Sequence, residues 1–361
     1  MAKLSKAALA VALLLTIDPA VADEQGAAGF EQHYSAYQEA LDAQLPNSKI
    51  APLAKQAYLS GAKYFGPDDI NTAKLKINYL AVIHTDDLRS EPSQKLAEEV
   101  LAVYRKEYGQ SAPEVVDVLL IALGTHNLEA TKAYYDDLVR IADANMQQQP
   151  EYMFRAKVEA ASHLLSIGSP VSRDLVELAE TAEQRFGPEH ELTLLANFHA
   201  GRYLEAKNDA DEAIERFKKV AAADEGVLPP GLVTAKYLSH ARLVHFLEKE
   251  GKSDEATEHC LAISKMGFGI QDERDPKPLY RVNPRYPVLL VSRGLEGDVS
   301  ARYDITESGF VENVEITEYS DRAFVKTSED AIKQWRFAPR IVDGKPVTAK
   351  GYTVKLVFAL D

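Results

Sequence analysis

The side chains able to do acid–base, metal or nucleophilic chemistry are few and scattered in this sequence. Nine histidines (His33, His84, His126, His163, His190, His199, His240, His245 and His259) fall at no metal-type spacing. A zinc-binding helix needs a second histidine four residues on, and the His190-Glu191 pair has none. Each histidine is therefore expected to be structural or on the surface. Cys260 is the only cysteine, so no intramolecular disulfide can form. Its helical spacing from Ala256 and Ile263 makes it a small core residue, a reactive thiol being the alternative. There is no Gly-rich phosphate loop and no Gly-x-Ser-x-Gly nucleophile elbow. The chemistry left is recognition: the chain is expected not to be an enzyme, and to use no cofactor and no metal.

The elements that would carry such recognition come in two kinds. Between Phe30 and Met266 the sequence is rich in Ala, Leu, Glu and Lys, with apolar residues three and four apart, which predicts helices. The clearest start is at Asp209, followed three residues later by Glu212 in an acidic variant of the capping box. An apolar stripe of Ala213, Ile214, Phe217, Val220 and Ala221 follows. The turns Phe65-Gly66-Pro67, Tyr108-Gly109 and Phe186-Gly187-Pro188 lie 43 and then 78 residues apart, and Glu225-Gly226 follows Gly187 after 39. The implied unit is about 40 residues with two helices, the mark of a solenoid. The tyrosines from Tyr34 to Tyr152 either pack between such helices or line a groove, and none is singled out as a site.

Charge and the N-terminus bound the setting. The net charge is −14, and residues 23–274 carry −15 of it, whereas residues 275–361 balance 13 basic against 13 acidic side chains. An acidic helical region disfavours nucleic acid and anionic membranes as its partners. Lys3 and Lys6 precede an apolar run from Ala7 to Ile17, and Ala20 and Ala22 form a small-x-small site. A signal peptide over residues 1–22, cleaved after Ala22, is expected, the alternative being an uncleaved membrane anchor. Asp18 and Pro19 stop the run well short of the roughly 20 apolar residues of a spanning helix.

After Asp275-Pro276-Lys277-Pro278, an extended linker, the period changes from helical to alternating. Val299, Ala301, Tyr303 and Ile305 alternate with polar residues, Glu307-Ser308-Gly309 turns the chain, and Val311, Val314 and Ile316 return as a second strand. Phe324, Ser328, Ala331, Ile332 and Trp335 mark one face of a short helix that Pro339 stops. Past the Asp343-Gly344 turn, a final strand over residues 351–359 alternates Tyr352, Val354, Leu356 and Phe358 with Thr353, Lys355 and Val357. Strand, strand, helix, strand is a small α+β layer.

Several linked motifs resemble the TonB C-terminal domain family: Tyr286-Pro287, Leu295-Glu296-Gly297-Asp298-Val299, the Gly309 turn with Val311-Glu312-Asn313-Val314, and Ala331-Ile332-Lys333-Gln334-Trp335-Arg336-Phe337-Ala338-Pro339. The resemblance covers residues 283–360. Gly201, Ala213, Phe217 and Val220, with Gly251, Ala256, Cys260 and Ile263 one unit on, are similar to the tetratricopeptide pattern, with an irregular α-solenoid as the alternative. The fold expected is therefore multidomain: a signal peptide (1–22), an all-α tetratricopeptide-like repeat domain (23–274) and a small α+β TonB C-terminal-like domain (275–361).

The TonB resemblance implies periplasmic protein binding. The partner is a TonB-dependent outer-membrane transporter or another periplasmic protein, whose short extended segment pairs with the last strand. It places the binding residues at Gly351, Tyr352, Thr353, Val354, Lys355, Leu356 and Val357, with Tyr286 and Pro287 as the entry motif. Tyr286 has packing of the domain's first turn as its alternative, and Trp335 and Phe337 are expected in the core. Inner-membrane association, should the leader stay uncleaved, and a homodimer are left open. A complete TonB transducer carries a membrane anchor and a proline-rich spacer, where this chain has an acidic helical region. The competing reading is a periplasmic tetratricopeptide-type scaffold for envelope assembly.

Overall fold

In a computed structural model, residues 24–125, 128–224, 228–270 and 276–360 are described. The leader expected at residues 1–22, His126, Asp275 and the turn expected at Glu225-Gly226 lie outside them. The chain divides into two compact units, residues 1–178 and 179–361.

The first unit is helical. Its elements are α1 (Glu24–Asp42), α2 (Asn47–Tyr64), α3 (Ile70–Val82), the single turn α4 (Thr85–Leu88), α5 (Glu91–Tyr108), α6 (Val115–Thr125), α7 (Leu128–Asn145) and α8 (Pro150–Ser166). Neighbours in sequence pack as neighbours in space: α1 on α2, α2 on α3, α5 on α6, α6 on α7 and α7 on α8. Phe30, Tyr37, Ile50 and Leu75 form one core cluster, and Leu80, Ile83, Leu88, Ala97 and Ala122 another. Tyrosine is the filler here: the rings of Tyr34 and Tyr64 stack on Phe30, and Tyr104 is buried.

The division at residue 178 falls inside α9 (Asp174–Phe186). After it come α10 (Glu191–Ala206), α11 (Ala210–Ala221), α12 (Pro230–Lys249) and α13 (Ser253–Ile263). The α11 start is as expected. The Asp209 carboxylate accepts from the Glu212 N–H at 3.4 Å, and Ala213, Ile214, Phe217, Val220 and Ala221 are all buried. Gly201 on α10 faces the Phe217 ring so closely that a Cβ there would lie 2.9 Å from it, which is why a small residue sits at that position. The turns at Gly66, Gly109 and Gly187 share a left-handed backbone with φ of 101°, 101° and 89°, the conformation that ends a helix at little cost only for glycine. Two such ends are separated by two long helices in the Gly66 to Gly109 interval, and the pairing is compatible with a tetratricopeptide-like repeat.

The second unit ends in a small α+β layer. It consists of the single turn α14 (Val288–Val291), β1 (Gly297–Ile305), β2 (Val311–Tyr319), α15 (Ala323–Ile332), β3 (Arg340–Val342), β4 (Lys345–Val347) and β5 (Ala349–Phe358). β1 is central in an antiparallel sheet of order β2-β1-β5, while β3 and β4 form a separate hairpin. The sequence marks only the Asp343-Gly344 turn of that hairpin: its strands are three residues each, too short to show alternation. Val299, Ala301, Tyr303 and Ile305 point into a core shared with Phe324, Ile332, Trp335, Phe337, Leu356 and Phe358. Trp335 and Phe337 are core residues, although both lie past the end of α15. Burying side chains of this size stabilises by about 1.5–3 kcal/mol each, so this cluster is what holds the layer together.

Candidate functional site

The sheet has two outer strands, and they differ in what they offer a partner. β2 meets β1 with register shifts at Ser300/Ala301 and Arg302/Asp304, carries Asn313 in a left-handed conformation (φ 50°), and exposes Glu312, Glu315 and Glu318. Irregular register and acidic side chains are devices that keep a strand edge from pairing. β5 is irregular at one end only. From Tyr352 to Phe358 it runs unbroken opposite Tyr303 to Gly297. That stretch has β1 on one side and no strand on the other among the described residues. Half its backbone N–H and C=O groups therefore face outward, as those of any edge strand do.

The side chains of β5 divide by face. Leu356 and Phe358 are in the core and Tyr352 and Val354 pack against it, whereas Thr353, Lys355 and Val357 are exposed, Val357 to 70%. Lys355 forms an ion pair with Asp298 across the ladder, which holds its ammonium form to higher pH than usual. The strand begins at Ala349, so Gly351 is not its first residue. Two residues, Lys350 and Gly351, stand opposite Asp304 alone, and Gly351 has φ 80°. This is a glycine bulge. The Gly351 N–H donates to Asp304 Oδ1 at 2.8 Å, and Asn313 Nδ2 donates to the other oxygen at 2.9 Å, so one carboxylate links all three strands at that end.

Tyr286 and Pro287 sit at the opposite end of β5. Pro287 caps α14, and the Tyr286 hydroxyl donates to the Leu295 carbonyl at 2.9 Å. The Tyr286 ring meets Phe324 and Phe358 edge-on, with centroids 5.7 and 5.4 Å apart. It therefore packs the first turn of the layer and braces the end of the edge strand. The structure thus brings all nine sequence-derived residues onto β5 or beside its C-terminal end.

Residues 282–360 match the family model described as the Gram-negative bacterial TonB protein C-terminal. This segment is a TonB C-terminal domain. Over 93 residues the chain is 34% identical to Protein TonB of Yersinia enterocolitica, covering 26% of this chain and 34% of that protein. Over 94 residues the chain is 32% identical to Protein TonB of Pseudomonas aeruginosa, covering 26% and 27%. The solution structure of the Pseudomonas aeruginosa TonB C-terminal domain aligns at 32% identity with a TM-score of 0.22, over 25% of this chain and 91% of that one. The chain thus spans about a third or less of the length of the curated relatives it matches.

One residue of the TonB C-terminal domain went unread in the sequence. Arg336 lies between Trp335 and Phe337 yet is as buried as they are. Its guanidinium pairs with Glu248 on α12, donates to Thr257 Oγ1 at 2.7 Å and to the Ser308 carbonyl at 3.1 Å, and lies 3.6 Å from the Phe310 ring centroid. Its backbone N–H donates to Tyr280 O, and its carbonyl accepts from Leu279 N–H. Cys260, beside it, is fully buried, and burial pushes its thiol up to about 12. The histidines hold a second relationship the sequence hid: His240 and His259, 19 residues apart, bring their Nδ1 atoms to 2.9 Å. Among the described residues, no three His, Cys, Asp or Glu side chains gather closely enough to hold a metal ion.

Proposed function

We propose that this chain is a periplasmic TonB-family protein whose C-terminal domain binds an extended segment of a partner protein along the free edge of β5, in support of transport across the envelope. The partner class is a TonB-dependent outer-membrane transporter. The observation that carries the reading is the unbroken edge from Tyr352 to Phe358, within a segment that matches the TonB C-terminal family. Backbone pairing would supply affinity, and the exposed Thr353, Lys355 and Val357 would select side chains of the incoming strand. The helical region, with no strand edge to offer, would recruit a second protein.

Hydrogen exchange on the full chain tests this, with a synthetic peptide carrying a transporter's TonB-box segment. Added peptide is expected to protect amides of Tyr352 to Phe358, and Val354→Pro is expected to abolish that protection. Unchanged Trp335 fluorescence in the variant would show that the layer still folds. Protection confined to the helices, with β5 unaffected, would instead support the scaffold reading.

A further inference from the structure

The turn that follows Tyr286-Pro287 is built unlike the rest of the surface. Of the four residues of α14, only Leu290 is buried; Val288 is 83% exposed, Leu289 55% and Val291 46%, and Leu295 just beyond is 45% exposed. A single helical turn with its aliphatic side chains splayed outward is a convex tip.

Its charge is as distinctive as its hydropathy. Residues 276–295 contain four basic and no acidic side chains, in a chain of net charge −14. Arg285 and Arg293 flank α14, are exposed, and make no ion pair among the described residues. The nearest acidic neighbour in sequence, Glu296, accepts from the Leu360 N–H at 2.8 Å. Exposed aliphatic residues between unneutralised arginines have the composition of segments that rest in the interface of an anionic bilayer, with the apolar side chains below the headgroups and the cations among the phosphates.

We propose that the α14 tip docks the C-terminal domain on an anionic phospholipid surface, with Val288, Leu289 and Val291 inserted and Arg285 and Arg293 at the headgroups. The occupant is lipid because the tip is convex and cationic: a fluid interface moulds around such a shape, whereas a protein partner would need a preformed acidic hollow. The acidic helices, repelled by the same surface, would be held away from it.

The test uses the full chain carrying Leu289→Cys, labelled with an environment-sensitive fluorophore, beside a control labelled at Lys345→Cys on the β3–β4 hairpin. Buried Cys260 leaves labelling selective in the native protein. Vesicles of phosphatidylglycerol and phosphatidylethanolamine should shift the probe at position 289 to the blue and expose it to quenching by nitroxide-bearing lipid. Position 345 should not change. Arg285→Glu with Arg293→Glu should weaken the response by at least 25-fold, at about fivefold per arginine lost. Because the probe reports its own surroundings, attachment through the apolar run at residues 7–17 cannot mimic this result. No shift at position 289, an equal shift at position 345, or an equal shift with neutral phosphatidylcholine vesicles would overturn the proposal. So would a blue shift without vesicles that grew with protein concentration, which would make a second copy the occupant.

Discussion

Arg336 and Glu248 form a buried ion pair between the TonB C-terminal domain and helix α12, the two side chains retaining 1% and 9% of their exposure. The pair does not act alone. Ser253 Oγ donates to the second oxygen of Glu248 at 2.8 Å, Ser264 Oγ on the turn after α13 donates to Pro339 O at 2.7 Å, and Ile270 N–H donates to Ala338 O at 3.3 Å. The α12–α13 hairpin and the sheet are thereby joined within one compact unit. A charge held this far from water is tolerated only while its counter-charge and hydrogen bonds stay in place.

Removing one partner should therefore cost more than removing both. Glu248→Gln leaves the guanidinium buried and uncompensated, and is expected to destabilise the second unit by about 3–5 kcal/mol. Glu248→Leu combined with Arg336→Met exchanges the pair for apolar bulk and should recover most of that loss. Urea unfolding of the three proteins measures it. A double variant that lost as much stability as Glu248→Gln, or more, would contradict this reading.

Two glycines with nearly the same backbone angle should respond differently to alanine. Gly309 has φ 82° and a Cβ there would lie 2.0 Å from the Phe337 carbonyl oxygen, whereas Gly351 has φ 80° with open space around it. Gly351→Ala should cost only the conformational penalty, about 1–2 kcal/mol. Gly309→Ala must also push the Phe337 backbone away, breaking the hydrogen bond it donates to Gly309 O at 2.9 Å, and should cost clearly more. Thermal unfolding ranks them; a reversed order would contradict the close approach.

Cys260 should be inert in the folded protein. Burial with Arg336 Nη2 3.9 Å from its sulfur outweighs the favourable cation, and the thiol stands at about 12 instead of its ordinary 9.0. At pH 8 its thiolate population is then lower by a factor on the order of a thousand, before any steric exclusion is counted. A colorimetric disulfide reagent should react only as fast as the second unit opens, and at once in urea. Stoichiometric reaction within a minute in native buffer would refute this.

What the sequence revealed depended on how local the signal was. The α11 cap and stripe, the β1 alternation, the Gly309 turn and the final strand each lie within a dozen residues and obey one period, so they were legible. Arg336 was not, because its partners Glu248 and Thr257 lie 88 and 79 residues away and a basic side chain between Trp335 and Phe337 gives no sign of burial. The β3–β4 strands were too short to show a period. The bulge at Gly351 depends on the facing register of β1, which no single strand encodes. The exposure of Val288, Leu289 and Val291 was hidden for the same reason, since an aliphatic run does not itself tell which of its residues face water.

The buried histidines should make the second unit acid-sensitive. Burial, with His259 and Lys236 adding to it, pushes His240 on α12 down to about 4. Burial lowers His259 on α13 too, opposed by Glu258 and Glu255 on its own helix and reinforced by Lys218 on α11. His199, fully buried on α10 near Arg202, is pushed down to about 3. The folded protein thus holds these rings neutral at pH values where the unfolded chain, near the ordinary 6.5, takes up protons. Stability is fully present above pH 6.5, falls as the pH drops toward 4, and stops changing on account of His240 below that. At 1.36 kcal/mol per unit, His240 alone accounts for a loss on the order of 3 kcal/mol. Carboxylates titrate in the same range, so the informative quantity is the difference between wild type and His240→Gln. The glutamine keeps a polar group at the α12–α13 contact but binds no proton, and its urea-unfolding free energy should fall less steeply between pH 6.5 and 4. Parallel pH profiles for the two proteins would show that the His240–His259 contact is not the acid-sensitive element.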